Sequence, residues 1–159
     1  TLTQAGNSLT GGGGNLIFPG TATNDSASAG QVGEIITAQV LVGSAVSLTT
    51  ATATDVMSIS LTAGDWDVNG VVFQSPAGGT VVTQILSWIS STSATLPTAP
   101  NQAGEALWVG NVTGNGNSTH PGMMRMSLSG TTTVYLSTHV TFTVSTNAAY
   151  GYFRARRVR

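Results

Sequence analysis

The stretch VYLSTHVTFTV, residues 134–144, decides the fold class because its alternation of apolar and polar side chains is the clearest in the chain. Successive side chains of a β-strand point to opposite faces, so the pattern predicts a strand with one face on a core and one toward water. Such strands are typical of antiparallel sheets with one solvated side. The predicted core face comprises Val134, Leu136, Thr138, Val140, Phe142 and Val144, and the polar face comprises Tyr135, Ser137, His139, Thr141 and Thr143.

Similar runs rich in Thr, Val, Ile and aromatic residues continue outward from this stretch, separated by Gly, Pro and Asn. No window shows a helical period. About eight or nine strands without helices predict an all-β, antiparallel sandwich of jelly-roll type. The predicted strands cover residues 34–42, 45–49, 55–62, 65–74, 80–90, 105–112, 122–129, 132–145 and 148–158.

Two features of these strands bear on their packing. Residues 58–70, SISLTAGDWDVNG, predict a hairpin with its turn at Ala63 and Gly64.

The strands around residues 65–74 and 80–90 are apolar on both faces, so each must pack against other residues on both sides. The second packing partner of such a strand is often another subunit. In 80–90 one side carries Val81, Ile85 and Ile89 and the other Leu86 and Trp88; in 65–74 Val71 and Phe73 lie opposite Trp66, Val68 and Val72.

The composition bounds the class of protein. Only 7% of the 159 residues are charged, the net charge is −1, and cysteine is absent. A polar but uncharged surface suits an extracellular or virion protein in an assembly with large interfaces, and oligomerisation would replace disulfides as the stabiliser. The charge argues against bulk attraction to nucleic acid or membrane. The chain starts at Thr1 rather than Met, which indicates a fragment or a processed chain.

The chain divides into two parts by composition. Residues 1–33 are rich in Gly, Ser, Thr and Asn and predict an entry segment or linker with a flexible joint at Gly11–Gly14. Residues 34–159 predict the β-sandwich domain. Within it, STSATLPTAPNQAG (91–104) contains two prolines and predicts a surface loop.

No catalytic or metal-binding set stands out, so we do not expect an enzyme or a cofactor. His120 lies in a turn-like stretch and His139 on a polar strand face, where each is best interpreted as a solvated or interface histidine. Asp65 and Asp67 share a strand face, a spacing that suits Ca²⁺ or glycoside hydrolysis, but no further ligand is near in sequence. They are interpreted as two acids flanking a core tryptophan.

The C-terminal arginines depart from this background. The chain has no lysine, and four of its five arginines are Arg154, Arg156, Arg157 and Arg159. In a final strand they occupy both faces, where arginine requires a carboxylate or another anion. With only six acids, internal pairing is limited, so we expect an inter-subunit ion pair or a small trapped carboxylate or phosphate.

Three stretches resemble the C-terminal knobs of bacteriophage tail needles and tail fibres: MSISLTAGDWDVNGVVF (57–73), ISSTSATLPTAP (89–100) and RARRVR (154–159). The resemblance covers about residues 33–159. It implies a homotrimeric jelly roll similar to tumour necrosis factor and C1q, located in the virion and joined to an upstream tail shaft or portal assembly. It also implies contact with the host outer-membrane surface, envelope penetration and genome delivery. No heptad coiled coil is present, so needle and side fibre both stay open.

The residues are also compatible with other functions. A carbohydrate-binding receptor module would stack sugars on Trp108 or Tyr135. A capsid decoration protein has the same sequence character. A polysaccharide depolymerase is disfavoured because the six acids are scattered.

Overall fold

The protein is described by a computed structural model that covers residues 3–5, 8–10, 22–23, 25–98, 103–113 and 116–159. For residues 3–5, 8–10 and 103–113 only the backbone is described.

The described residues form twelve β-strands, one 3-10 turn at Val42–Ser44 and no α-helix. All nine predicted strands are present, with boundaries within about two residues. The pair β1 and β2, inside the predicted entry segment, and the short β9 were not predicted. The strands are β1 (Thr3–Ala5), β2 (Ser8–Thr10), β3 (Ile35–Val40), β4 (Val46–Ser47), β5 (Ala53–Leu61), β6 (Gly64–Gln74), β7 (Val81–Ser90), β8 (Ala103–Thr113), β9 (Ser118–Thr119), β10 (Met124–Leu128), β11 (Thr132–Thr143) and β12 (Ala148–Arg157).

Ten of these strands build two antiparallel sheets. Sheet I has the order β10-β6-β12-β3, with β4 and β9 attached to β12 and β6, and sheet II has the order β5-β11-β7-β8. Along the chain, the eight strands in these two orders alternate between the sheets except at β7 and β8, which are neighbours in sheet II, and this is the wiring of a jelly roll. The prediction of an all-β, antiparallel jelly-roll sandwich is confirmed, and the homotrimer stays a prediction.

The core lies between the inner faces of the two sheets. Trp66 and Phe153 of sheet I and Ile89 and Leu136 of sheet II are among its fully buried side chains. A polar layer crosses the core next to them: Asn147 Nδ2 donates to Gln74 Oε1, and Gln74 Nε2 donates to Thr138 Oγ1. These bonds satisfy buried groups that would otherwise destabilise the sandwich.

The predicted hairpin at 58–70 is wrong in its pairing, although its turn is correct. β5 pairs with β11 and β6 pairs with β10 and β12, so the turn carries the chain from sheet II to sheet I. Gly64 has φ +134° and so provides the predicted positive φ. Two strands that face one core from opposite sheets show the same alternation as a hairpin, which is why the pattern was ambiguous.

Two predicted side-chain positions are wrong, that of Val144 on the core face of β11 and that of Val81 on the same side of β7 as Ile85. Val144 is 83% exposed because β11 ends at Thr143 and Val144 has a positive φ. In β7 the register shifts between Val82 and Gln84, so Val82 rather than Val81 joins Ile85 in the core. A β-bulge inserts one residue and reverses the alternation beyond it, which a strict period of two does not anticipate.

Strand β7 is covered on both faces within its own chain. Trp88 lies on the outer face of sheet II opposite Ser137, yet only 1% of its surface is exposed. The loop 91–98 adjoins it, since Leu96 and Trp88 line the same cavity. The expected second cover from another subunit is therefore not needed at Trp88.

Candidate functional site: the outer face of sheet I and the C-terminal arginines

Strand β12 distributes its side chains as its alternation predicts. Phe153, Ala155 and Arg157 are buried on the inner face, whereas Tyr152 and Arg156 are exposed on the outer face. The four predicted arginines therefore have different surroundings, and the structure does not bring them together as one cluster.

Arg157 is enclosed by its own chain. Its Nε donates to Glu34 Oε2 over 2.9 Å, and the two side chains are 6% and 10% exposed. Its Nη1 donates to the carbonyl oxygen of Ala63 over 2.8 Å, and Nη2 donates to Thr62 Oγ1. The guanidinium also lies 4.3 Å above the ring of Trp66, a cation–π distance. Arg157 thus connects residues at one end of the sandwich. These partners belong to its own chain, whereas the sequence predicted a contact with another subunit or a bound anion.

Glu34 completes this network from the start of β3. Burial alone would raise the pKa of Glu34, but the Gly30 amide and the Arg157 guanidinium favour its ionised form. The net result is a pKa below the ordinary value of 4.5. The pair is thus charged at neutral pH and joins the two ends of residues 34–157.

Asp65 forms ion pairs with two arginines, Arg125 and Arg159. Its buried Oδ2 accepts from Nη2 of Arg125 at 3.0 Å and from Nε of Arg159. The Ser127 hydroxyl together with these two guanidinium groups lowers the pKa of Asp65 to about 2. Arg159 and Arg125 remain largely exposed around it. Internal pairing is therefore more extensive than the count of six acids suggested, because Asp65 serves two cations.

Arg154 and Arg156 differ from the other two. Both lie on the outer face of sheet I, where Arg154 is the cross-strand partner of Asn69 and Arg156 that of Asp67. Among the described residues neither makes an ion pair. These two remain the candidates for an inter-subunit carboxylate or a small anion.

The same outer face carries an aromatic surface beside these arginines. Phe73 and Tyr150 stack with ring centroids 5.2 Å apart, and the next register pair is Val71 with Tyr152. Tyr152 is 40% exposed and Phe73 37%. We call these four residues the aromatic face. An exposed apolar cluster at the centre of a sheet makes this face a candidate interaction surface.

Tyr152 forms a ridge between two grooves in the described surface. One groove, about 670 Å³, is bounded by Phe73, Tyr150 and the segment 39–44, which includes the exposed Leu41 and Val42. The other, about 430 Å³, is bounded by Asn69, Val71 and the segment 120–123. A ridge between two grooves provides the shape complementarity with which protein surfaces pack against each other.

The two residues predicted to stack on sugars belong to sheet II. Tyr135 is half-buried on β11, between Ser58 and Ser90 in register. Trp108 on β8 is the register partner of Gln84, and its side chain lies outside the described residues. His139 is half-buried on the outer face of this sheet, in line with its predicted polar face.

The acids and histidines of the described residues do not assemble a metal site. No three of their His, Asp or Glu side chains lie close enough together to hold an ion. Asp65 and Asp67, read from sequence as flanking a core tryptophan, do flank the buried Trp66. In the part of the chain that is described, no helix has the length and apolar character for crossing a membrane.

Sequence reasoning missed two partners. From sequence, Glu34 marks only the start of the predicted domain, and no role is predicted for Asp55, which binds the loop 91–98. Asp55 accepts from Ser93 Oγ, the Ala94 amide and Ser137 Oγ at 2.5–2.8 Å. In a chain with only six acids, the isolated positions of Glu34 and Asp55 are the one signal that could have pointed to these contacts.

Comparison with known proteins gives a weak likeness. No protein-family model and no curated protein sequence matches the chain. A solved structure of the T13 viral particle of infectious bursal disease virus aligns with 79% of this chain at TM-score 0.47 and 12% identity. The VP2 subviral particle of the same virus aligns with 79% at TM-score 0.46 and 11% identity. The chain spans about a third of the length of those chains, 31% and 32%.

Proposed function

We propose that this protein is a structural component of a virion, the homotrimeric tip of a phage tail needle or tail fibre. In this role it contacts the host cell surface and, as a needle tip, takes part in envelope penetration and genome delivery. Its partners are two further copies of itself, an upstream shaft or portal assembly, and the host outer-membrane surface or its glycans. The jelly-roll wiring and the resemblance of residues 57–73, 89–100 and 154–159 to tail knobs support this proposal.

The aromatic face is the observation that carries the trimer. Tyr152 and Phe73 expose aromatic surface at the centre of sheet I, on a domain whose solubility depends on uncharged polar residues. Burying that surface against another copy is favourable at roughly 25 cal/mol per Å² of apolar area. The grooves beside Tyr152 would receive side chains of the neighbouring copy.

Arg154 and Arg156 fit the same interface. They adjoin the aromatic face along β12, and no acid within the described residues forms an ion pair with them. Around a threefold axis each arginine is repeated, so its charge needs a neighbour's carboxylate or a small trapped carboxylate or phosphate. These two residues, rather than Arg157, are where such an anion would lie.

Sedimentation equilibrium at micromolar concentration tests the proposal. The wild-type protein is expected to have three times the monomer mass. Tyr152→Asp places a charge in the aromatic face and should shift the protein toward monomer. Thr143→Asp, an exposed change on the outer face of sheet II, is the matched control and should remain trimeric. A wild-type protein that is monomeric at this concentration overturns the proposal.

A carbohydrate-binding receptor module is the second candidate. It is favoured by Tyr135 on the outer face of sheet II and by Trp108 opposite Gln84 in the same sheet. A glycan array tests this candidate, because a carbohydrate-binding module should bind a defined set of saccharides whether or not the protein is trimeric. Trp108→Ala and Tyr135→Ala would then locate any binding.

A further inference from the structure

Three loops meet at the end of the sandwich that lies away from the Arg157–Glu34 pair. They are the segments 41–52, 75–80 and 144–147, which follow β3, β6 and β11. Strand β12 runs from Ala148 at this end to Arg157 at the other, and at about 3.3 Å per residue it separates the two ends by about 30 Å. The three loops are therefore remote from Glu34, where the chain enters the sandwich.

Hydrogen bonds between the loops hold them together. The carbonyl oxygen of Thr146 accepts from the Ala77 amide over 2.9 Å and from Thr80 Oγ1 over 2.8 Å. The Leu48 amide donates to the carbonyl oxygen of Asn147 over 2.9 Å. Asn147 in turn belongs to the polar layer of the core. The loops thus form one connected surface that is anchored in the sandwich.

This surface exposes large apolar side chains and carries no charged one. Leu41 is 64% exposed, Val42 61% and Val144 83%. We call these three residues the apolar end. None of the three loops contains Asp, Glu, Lys or Arg. An apolar partner could therefore cover this surface without removing any charged side chain from water, which is the most costly step in burying a protein surface.

Val144 occupies its exposed position at an energetic cost. Its φ is +81°, in the left-handed region that β-branched side chains rarely adopt. Glycine or asparagine would fit this backbone with less strain. A side chain that is so exposed contributes little packing to its own fold, so neither folding nor solubility accounts for a valine here. Strain of this kind is often found where a residue has a functional contact.

The chemistry of the apolar end favours one class of partner. A glycan or an anionic polymer needs polar or cationic groups to bind it, whereas the acyl chains of a lipid bilayer need only apolar side chains. Leu41 and Val42 also border one groove of the aromatic face, but Val144 follows β11 of sheet II. Val144 is therefore the residue that distinguishes a lipid partner from a second copy of the chain.

We propose that the apolar end inserts into a lipid bilayer, with Leu41, Val42 and Val144 entering the boundary between headgroups and acyl chains. The inference rests on the proposed function, because it assigns this end of the domain to the host membrane. The contact is apolar, so its strength should depend little on salt concentration. Glu34, at the opposite end, then faces away from the membrane.

A fluorescent label tests the contact directly. The chain has no cysteine, so Val144→Cys gives one labelling site for an environment-sensitive fluorophore in the full chain. Emission should shift to the blue when phosphatidylcholine vesicles are added, at low and at high salt. Val32→Cys is the matched control, because Val32 is also 64% exposed but lies beside Gly33, whose amide donates to the Arg157 carbonyl oxygen. Its emission should not change.

A second variant separates lipid binding from folding. Val144→Asn suits the left-handed backbone, so its thermal midpoint should not fall. Its partition onto the vesicles should weaken by about tenfold, because the burial of one valine side chain is worth at least that factor. Val32→Asn should bind vesicles as the wild type does.

The outcomes distinguish this inference from the proposed trimer. It is overturned if the label at position 144 does not respond to vesicles, if the label at position 32 responds equally, or if added salt abolishes the response. It is also overturned if Val144→Asn lowers the mass in sedimentation, which would make the apolar end an interface between copies. A monomeric mass of the wild-type protein overturns the trimer and leaves the vesicle result intact.

Discussion

The guanidinium of Arg157 and the carboxylate of Glu34 form a buried ion pair, 2.9 Å from Nε to Oε2, between residues 123 positions apart. Strand β12 pairs with β3 directly beside this contact, with Arg156 opposite Ile35. The pair therefore fixes the register of the last long strand against the first strand of the sandwich. Its remaining donors hold the turn between β5 and β6, so one side chain connects three parts of the fold.

Loss of Arg157 should destabilise the domain strongly. Arg157→Ala leaves Glu34 buried without its cation and frees the acceptors at Thr62 and Ala63, and breaking a buried ion pair in this way costs about 3–5 kcal/mol. Arg157→Lys should recover only part of this, since an ammonium cannot reproduce the forked geometry. Urea denaturation at fixed protein concentration measures the free energy of unfolding.

Arg156→Ala is the matched control for this prediction. Arg156 is exposed on the same strand and makes no ion pair among the described residues, so within a monomer its loss should cost less than about 0.5 kcal/mol. Equal destabilisation by the two alanine substitutions would show that the network around Arg157 is not what stabilises the strand.

Acid should destabilise the fold through Asp65 and Glu34. Asp65 has a pKa of about 2 in the folded protein, below its ordinary 3.8, and the pKa of Glu34 is also below its ordinary 4.5. A carboxyl group whose pKa is lower in the folded than in the unfolded protein stabilises the fold fully when the pH is above its unfolded-state pKa. This stabilisation is lost as the pH falls through its folded-state pKa. The urea midpoint should therefore be level near neutral pH and fall between about pH 4.5 and pH 2.

Asp65→Asn tests the assignment of this pH dependence. The variant should be less stable than wild type at neutral pH, because Arg125 and Arg159 lose their shared carboxylate, and its stability should fall less steeply on acidification. If the two pH profiles are parallel down to pH 2, Asp65 does not contribute to the acid sensitivity.

The sequence was informative about strands and less so about their partners. Alternation in 134–144 identified β11 and its inward Leu136, because the period of two depends only on local geometry. The same period could not distinguish a hairpin from an arch between sheets at Gly64, or detect the bulge near Val82. Which sheet a strand joins depends on contacts far away in the chain, and the pattern carries no information on those.

At the candidate site, too, the sequence predicted local features and not the long-range contacts. Strand alternation predicted that Arg154 and Arg156 lie on one face and Arg157 on the other, but it did not predict which of the two faces is inward. The partner of Arg157 did not, because Glu34 is 123 residues away and nothing local connects the two. The position of the loop 91–98 was not predictable for a related reason, since it depends on Asp55 in another part of the chain.

Removal of the Asp55 carboxylate should loosen the loop 91–98. Asp55→Ala removes three accepted hydrogen bonds, and bonds to a charged group are worth about 1.5–3 kcal/mol each at most. Local opening should expose the indole of Trp88, which acrylamide quenching of tryptophan fluorescence detects. Amide hydrogen exchange at Ala94 should accelerate in parallel.

Asp67→Asn provides the comparison for the loop, because Asp67 lies on the outer face of sheet I. It should change neither the quenching nor the exchange rate at Ala94. Unaltered quenching in Asp55→Ala would mean that the loop keeps its position by packing alone.

Gly151 should be intolerant of any side chain. It lies between Tyr150 and Tyr152 on β12, opposite Val72, and a Cβ added there would lie 2.0 Å from the carbonyl oxygen of Val71. That oxygen is backbone and cannot move without separating β12 from β6. Gly151→Ala should therefore lower the free energy of unfolding by about 1–3 kcal/mol or more, as is typical of overpacking, and it should displace both tyrosines of the aromatic face.

Gly43→Ala is the control, since its Cβ would meet nothing within 4 Å. Thermal unfolding compares the two, and sedimentation below the melting temperature of the Gly151 variant shows whether the displaced tyrosines also weaken self-association. If Gly151→Ala melts at the same temperature as Gly43→Ala, the close approach of β12 and β6 does not constrain this position.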